Sequence, residues 1–259
     1  MGACVLAIAN QKGGVGKTTT ALTLGAALVR LEQRVLVMDL DPHANASVHL
    51  SFFPEQLRHT ARDLFAEDIQ PSTAWGAVIQ SVKNTGFDFV PGHIRLSELE
   101  MDLKERKNRG LILKEALYYV DDRYDYVLLD CPPHVGILLV NALIAADLTL
   151  IPIQTDFLAF YGLRLLFDTM RTLNRILNQP IRYKALATMY DQRYKACRRV
   201  LKLIKEKLPE RTFQTIIHSD TKFREASGRG RIIFELDPES RGALEYLALA
   251  REIIAHENA

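Results

Sequence analysis

Short apolar runs separated by helix-length amphipathic segments set the pattern of the chain. Residues 5–9, 35–38, 87–90, 126–129, 148–153, 185–189 and 213–217 each read as a strand. The runs are continuously apolar rather than alternating, as strands covered on both faces must be, and a helical pattern follows most of them. This combination predicts an α/β fold, a mostly parallel twisted sheet with helices on both faces. No Pro/Gly/Ser-rich linker or internal repeat divides the 259 residues, so one domain over 1–259 is expected. Residues 50–86 carry no legible pattern.

Composition narrows the class. The chain is 48% hydrophobic and 25% charged with a net charge of +2, which excludes disorder and collagen-like repeats. Cys4, Cys131 and Cys197 are far apart, so neither a disulfide framework nor a zinc ribbon is suggested, and a reducing cytoplasm fits. The first ten residues lack the basic start of a signal peptide, and Leu6 stands where a myristoylation motif needs Ser or Thr. No apolar stretch approaches the roughly 18 residues of a membrane span. A soluble cytoplasmic protein is expected.

Gly-Gly-Val-Gly-Lys-Thr at 13–18 follows the first strand and opens a helix that runs to about Arg30. Strand, loop, Lys-Thr and helix together make a P-loop. Gly13, Gly14, Val15 and Gly16 let successive backbone N–H groups turn toward phosphate oxygens at the positive end of the helix dipole, with Thr19 in its first turn. Lys17 supplies a point charge to the β- and γ-phosphates, and the Thr18 hydroxyl a ligand to Mg²⁺. ATP and Mg²⁺ are the expected cofactors.

Two further segments end strands in carboxylates. Asp39 and Asp41 close the run at 35–38, and Asp130 closes the apolar run from Tyr124 in a Walker B pattern. Ligands of open α/β sheets bind at the carboxyl ends of strands, which brings these acids toward Thr18. Asp130 is assigned to magnesium, with Asp39 as a second candidate. Cys131 has no second cysteine at a useful spacing and reads as core.

Lys12 precedes a loop that already holds a phosphate lysine. Taken alone, it reads equally well as a solvated loop lysine. With Lys12-Gly-Gly-Val-Gly-Lys-Thr-Thr, Asp39-Leu-Asp41-Pro42, Leu150-Ile-Pro-Ile-Gln154 and Asp237-Pro-x-Ser-Arg-Gly-Ala243, the chain resembles the ParA (Soj-like) branch of the deviant Walker A ATPases, within the ParA/MinD superfamily. The likeness spans nearly the whole chain. It implies that Lys12 reaches phosphates bound by a partner subunit in an ATP-sandwich homodimer, and that Asp41 orients the attacking water. His43-Ala44 departs from the family's Gln-Gly, and His134 and Tyr161 replace residues common in relatives. Where relatives read Ile-Pro-Arg-Asn against adenine, this chain has Ile217-His218-Ser219-Asp220, leaving His218 and Asp220 as its candidate base contacts. A guanine-reading Asn-Lys-x-Asp motif is absent.

Positive charge clusters late in the chain. Cys197, Val200, Leu201, Ile204 and Leu208 recur at helical spacing, which places Lys195, Arg198, Arg199 and Lys202 on the exposed face. Lys222, Arg224, Arg229 and Arg231 form a second cluster. Such a surface suits duplex phosphates without base readout, although a solvated helix face has the same pattern. The resemblance implies DNA contacts in these two regions, where Arg193 and Lys222 match the family's positions. No helix-turn-helix extension precedes the P-loop, and the acidic tail differs from the basic amphipathic end of MinD-like proteins, so a packed final helix with a frayed end is expected rather than a membrane anchor. The function implied is a weak, partner-stimulated ATPase that binds DNA nonspecifically as a dimer over the nucleoid and partitions a chromosome or plasmid with a ParB-like protein. Two alternatives keep the same motifs: positioning of a protein cargo, or a nucleotide-gated switch that hydrolyses nothing.

Overall fold

The computed structural model describes residues 2–66 and 71–257, so the frayed end expected at Asn258 and Ala259 lies outside the described residues. Seven strands form one sheet: β1 (Cys4–Ile8), β2 (Val35–Asp39), β3 (Gln80–Ser81), β4 (Asp88–Val90), β5 (Tyr126–Asp130), β6 (Leu148–Gln154) and β7 (Tyr183–Thr188). Their order is β3-β4-β2-β5-β1-β6-β7, and every pairing is parallel except that of β3 with β4. Between and after the strands run α1 (Lys17–Val29), α2 (Asn45–His49), α3 (Pro71–Val78), α4 (Leu99–Asp102), α5 (Ile112–Leu117) and α6 (Ile137–Ala145). The chain closes with α7 (Tyr161–Asn174), α8 (Lys195–Lys207), α9 (Lys222–Gly228), α10 (Ile233–Leu236) and α11 (Arg241–Glu257).

Period-2 alternation divides each strand between two cores. Leu6 and Ile8 of β1, Val35 and Val37 of β2 and Leu128 of β5 pack against α1, α10 and α11. Val5, Ala7, Leu36, Met38 and Leu129 point to the opposite face, under α3, α5, α6 and α7. This two-sided burial is why the runs look uniformly apolar in sequence. The stretch 50–86 owes its place to tertiary contacts: Trp75 is buried in the second of these cores and its indole N–H donates to the Ala116 carbonyl at 2.8 Å. Helix α1 lies close on the sheet because Gly25 has no side chain; a Cβ there would meet Val37 Cγ2 at 2.8 Å.

The strand expected at 213–217 does not form. Phe213 and Ile217 donate their N–H groups to the carbonyls of Ala185 and Ala187 in β7, each at 2.9 Å. Between them, Gln214 and Thr215 donate instead to the Glu252 carboxylate of α11, at 2.8 and 3.0 Å. The ladder is therefore reduced to isolated bridges at Thr212 and His218. Phe213 and Ile217 stay buried, so their apolar character reports the core and not a strand.

Candidate functional site: a phosphate loop with a buried carboxylate

The loop between β1 and α1 is anchored at both ends. Asn10 donates to the Pro152 carbonyl at 2.7 Å and accepts from the Lys12 N–H at 2.9 Å, while the Thr188 hydroxyl donates to the Val15 carbonyl at 2.9 Å. Val15 itself is buried. Gly16 sits at φ 94°, a left-handed conformation that glycine adopts without strain, and precedes α1 with no side-chain cap. The first turn of α1 also lacks acidic residues, so its N–H groups remain open to an anion.

Lys17 is buried among acids. Burial pulls its ammonium below the usual lysine range, against the opposing pull of Asp130 and Asp41, and its Nζ lies 3.4 Å from the Lys12 carbonyl. Asp39 and Asp130 are direct neighbours in the β2–β5 register. Asp39 is fully engaged: Oδ2 accepts from the Ser47 N–H and hydroxyl at 2.9 and 2.7 Å, and Oδ1 accepts from the Asp41 N–H at 3.1 Å. Burial raises its pKa to about 6 despite these donors. Ser47 in turn accepts from the Gly92 N–H, so Asp39 braces the loop before α2.

Asp130 is the opposite case. It is 1% exposed, and among the described residues neither carboxylate oxygen has a hydrogen-bond partner in good geometry. Burial, then the Asp39 charge, push its pKa far above the ordinary carboxylate range, with the nearby Thr18 hydroxyl and Lys17 favouring the charged form. An orphaned buried carboxylate beside a P-loop threonine fits a cation supplied with phosphates. Among the described residues no group of three or more His, Cys, Asp or Glu could hold a metal by itself, which suits Mg²⁺ shared with water and nucleotide.

Asp41 Oδ1 accepts from both the backbone N–H and the ring Nδ1 of His43, at 3.0 and 2.9 Å. Ala44 follows at φ 51°, so the left-handed turn is kept without a glycine and opens α2 at Asn45. A cavity of about 430 Å³ is lined by Gly13, Gly14, Gly16, Lys17, Thr18, Thr19, Asp41, His43 and Asn45. A second cavity of about 580 Å³ shares Gly16, Thr19 and Met189 with it and extends past His218, Asp220, Phe223 and Tyr246. The two together have the form of a phosphate site with an adjoining base site.

A family model described as an AAA domain matches residues 3–183. The sporulation initiation inhibitor protein Soj of Bacillus subtilis is 37% identical over 256 residues, covering 97% of this chain and 98% of that protein. The chromosome partitioning protein ParA of Caulobacter vibrioides is 36% identical over 259 residues, covering 98% and 94%. The chain belongs to the ParA (Soj-like) family of partition ATPases. Among solved structures, cobyrinic acid a,c-diamide synthase from Mycobacterium smegmatis with bound ADP and magnesium has a TM-score of 0.86 and 31% identity, over 99% of this chain and 96% of that one.

Within the ParA fold, the other residues singled out in the sequence fall into place unevenly. Lys12 turns away from the phosphate cavity: its Nζ contacts Asp156 Oδ2 at 2.5 Å and Gln154 Oε1 at 3.3 Å, at the end of β6. Asp220 lines the base cavity, but Oδ1 accepts from the Lys222 N–H at 2.9 Å and Oδ2 from the Gly242 N–H at 3.1 Å, tying α9 to α11. His218 is held through its N–H and Nδ1 by Glu245, at 2.7 and 2.6 Å, and Glu245 also accepts from Arg241. Asp156 and Glu245 were missed in sequence because each acts on a residue far along the chain, and Ser47 because only the turn between β2 and α2 brings it back onto Asp39. Cys131 is buried core and all three cysteines are free, while the Tyr161 side chain lies outside what is described.

Helix α8 presents the expected face: Val200 and Ile204 are buried, and Lys195, Arg198, Arg199 and Lys202 are exposed. Several charges of this helix and of the segments that flank it are already engaged. Arg193 forks onto Asp191 at 2.7 to 3.2 Å, Arg198 donates to the Gln192 carbonyl, Lys202 lies 3.6 Å from Glu206, and Lys222 lies 3.4 Å from Glu225. Arg193 and Arg224 both line the base cavity, so the two basic clusters meet at its mouth.

Proposed function

We propose that this ParA-family ATPase is a nucleotide-timed DNA clamp: it binds Mg·ATP, dimerises around two nucleotides, holds duplex DNA without reading sequence, and lets go after slow hydrolysis stimulated by a ParB-like partner. The observation that carries the nucleotide reading is Asp130, a buried carboxylate that accepts no hydrogen bond among the described residues and lies beside Thr18 and Lys17 of an uncapped P-loop helix. A charge so placed is costly until a cation arrives. Thr18 and Asp130 would hold Mg²⁺, which neutralises phosphate charge when bound. The backbone of Gly13 to Thr19 and Lys17 hold the phosphates, and Asp41 orients the attacking water.

His218 and Ser219 wall the base, while Asp220 fixes the walls rather than reading the ring, since both its oxygens are taken. Lys12, held on the far side of the loop from its own phosphate cavity, is the contact for the other subunit. The cations of α8 and of the segments on either side of it, Arg193, Lys195, Arg198, Arg199, Lys202, Lys222 and Arg224, form the DNA surface, and the chain works over the nucleoid on a chromosome or plasmid. The hydrogen bonds that hold the Asp41 carboxylate beside the phosphate cavity support hydrolysis over a pure switch.

The test is a duplex-binding titration with ATP and with ADP at several salt concentrations, alongside phosphate release. The expected result is tight, sequence-blind, salt-sensitive binding with ATP only, with slow phosphate release. Equal affinity in the two nucleotide states would remove the clamp reading.

A further inference from the structure

Asp41 and His43 form a local unit whose second member has no part in the cycle proposed for this ATPase. Pro42 between them fixes the chain in a tight turn, and the Asp41 carboxylate receives two donors from one residue, the backbone N–H and ring Nδ1 of His43, both on Oδ1. A carboxylate only accepts, so Nδ1 carries the proton. The second torsion of an aspartate is soft, and one hydrogen bond would leave the group free to rock. Two bonds to the same oxygen, from a backbone and a ring, pin the plane. Among the described residues no group donates to Oδ2, and Asp41 lines the phosphate cavity together with His43.

We infer that His43 is a positioning residue for hydrolysis, holding Asp41 by Oδ1 so that Oδ2 alone is presented to the attacking water. This rests on the water-orienting reading of Asp41. In the reaction the water oxygen bonds to the γ-phosphorus while the bond from that phosphorus to the β–γ bridging oxygen breaks, its electron pair leaving on ADP. ATP and water give ADP, phosphate and one proton released to solvent, and His43 gains and loses none. Its contribution is orientation, which matters most in phosphoryl transfer, where positioning and electrostatics supply nearly all of the catalysis. The side chain is 64% exposed, so replacing it removes little packing.

The experiment compares ATP turnover and ATP affinity of the full chain with those of His43→Ala, His43→Asn, Asp41→Ala and the Asp41→Ala/His43→Ala pair. The Asn amide nitrogen stands where Nδ1 stands and can donate the same bond. His43→Ala is expected to lower turnover about tenfold or more with ATP affinity within about twofold, because misplacing a reacting group costs rate rather than binding. His43→Asn should restore turnover to within about threefold of wild type, and His43→Ala added to Asp41→Ala should cost nothing further, since the two act as one unit. Wild-type turnover in His43→Ala while Asp41→Ala is dead overturns the proposal alone, as do multiplying effects in the pair. Wild-type turnover in Asp41→Ala overturns the water-orienting reading itself, and the role of His43 with it.

Discussion

Asp39 and Asp130 face each other across one register of the sheet and differ in everything that decides a carboxylate's use. The first is saturated by Ser47 and Asp41; the second accepts no hydrogen bond among the described residues and has only the nearby Thr18 hydroxyl and Lys17 charge. For both, burial raises the folded pKa above that of the unfolded chain. The folded state then binds the proton more tightly, so the stability these groups contribute is present below about pH 4 and is lost as the pH rises through the folded values, about 6 for Asp39. Metal-free protein should therefore melt at a higher temperature at pH 5 than at pH 8. Asp130→Asn, isosteric with the protonated acid, should flatten part of that slope and abolish the extra stability that Mg·ATP gives the wild type. Thermal melts in chelator and in Mg·ATP measure both, and an undiminished Mg·ATP effect in Asp130→Asn would place the metal elsewhere. That Asp130 ends a buried strand was legible in the sequence, as a carboxylate at the end of an apolar run. The commitment of Asp39 was hidden, because Ser47, itself held by the Gly92 N–H, reaches it through a loop whose path only the fold determines.

Elements were legible where a single segment carries its own pattern. The buried stripe of α8 follows from helical periodicity alone, and Val200 and Ile204 sit where it places them. Residues 213–217 misled because the competitor for their N–H groups, Glu252, belongs to another helix. The same distinction sorts the basic face. Arg193 is locked to Asp191, whose pKa its guanidinium lowers to about 2, so that pair presents little net charge to a phosphate. Lys195 and Arg199 are exposed on α8 and no ion-pair partner for either is found among the described residues. Reversing Lys195 and Arg199 to Glu should therefore weaken binding to every duplex sequence by a larger factor than Arg193→Glu. It should also lower the salt slope by about 0.9 for each phosphate that is no longer neutralised. Titrations at three or more salt concentrations decide it; an effect of Arg193→Glu as large as that of the pair would show that the Asp191 fork opens on DNA.

The whole molecule gathers its site from the carboxyl ends of four central strands, β1, β2, β5 and β6, as an open parallel sheet requires. The parallel class was legible, but the strand order was not, since periodicity says nothing about neighbours. That order decides the environment of Lys12. Adjacent β6 delivers Gln154 and Asp156 to its ammonium, and Lys12 lines a groove of about 820 Å³ with Phe157, Leu158 and Arg164, outside the cavity that holds Lys17. Phe157 is 92% exposed, an apolar cost to a monomer that a second copy would remove on docking over this loop. The two lysines of one loop therefore face different cavities, and the proposed sandwich gives them different phosphates. Lys17→Ala removes the buried charge facing the chain's own nucleotide and should abolish ATP binding. Lys12→Ala loses the partly exposed ion pair to Asp156 and the hydrogen bond to Gln154, contacts worth little to folding, and should bind ATP normally while failing to form the ATP-dependent dimer. Nucleotide binding by equilibrium titration and mass by light scattering, each with ATP and ADP, separate the two. A Lys12→Ala protein that dimerises with ATP as the wild type does would return Lys12 to the status of a solvated loop lysine and leave the sandwich without its contact.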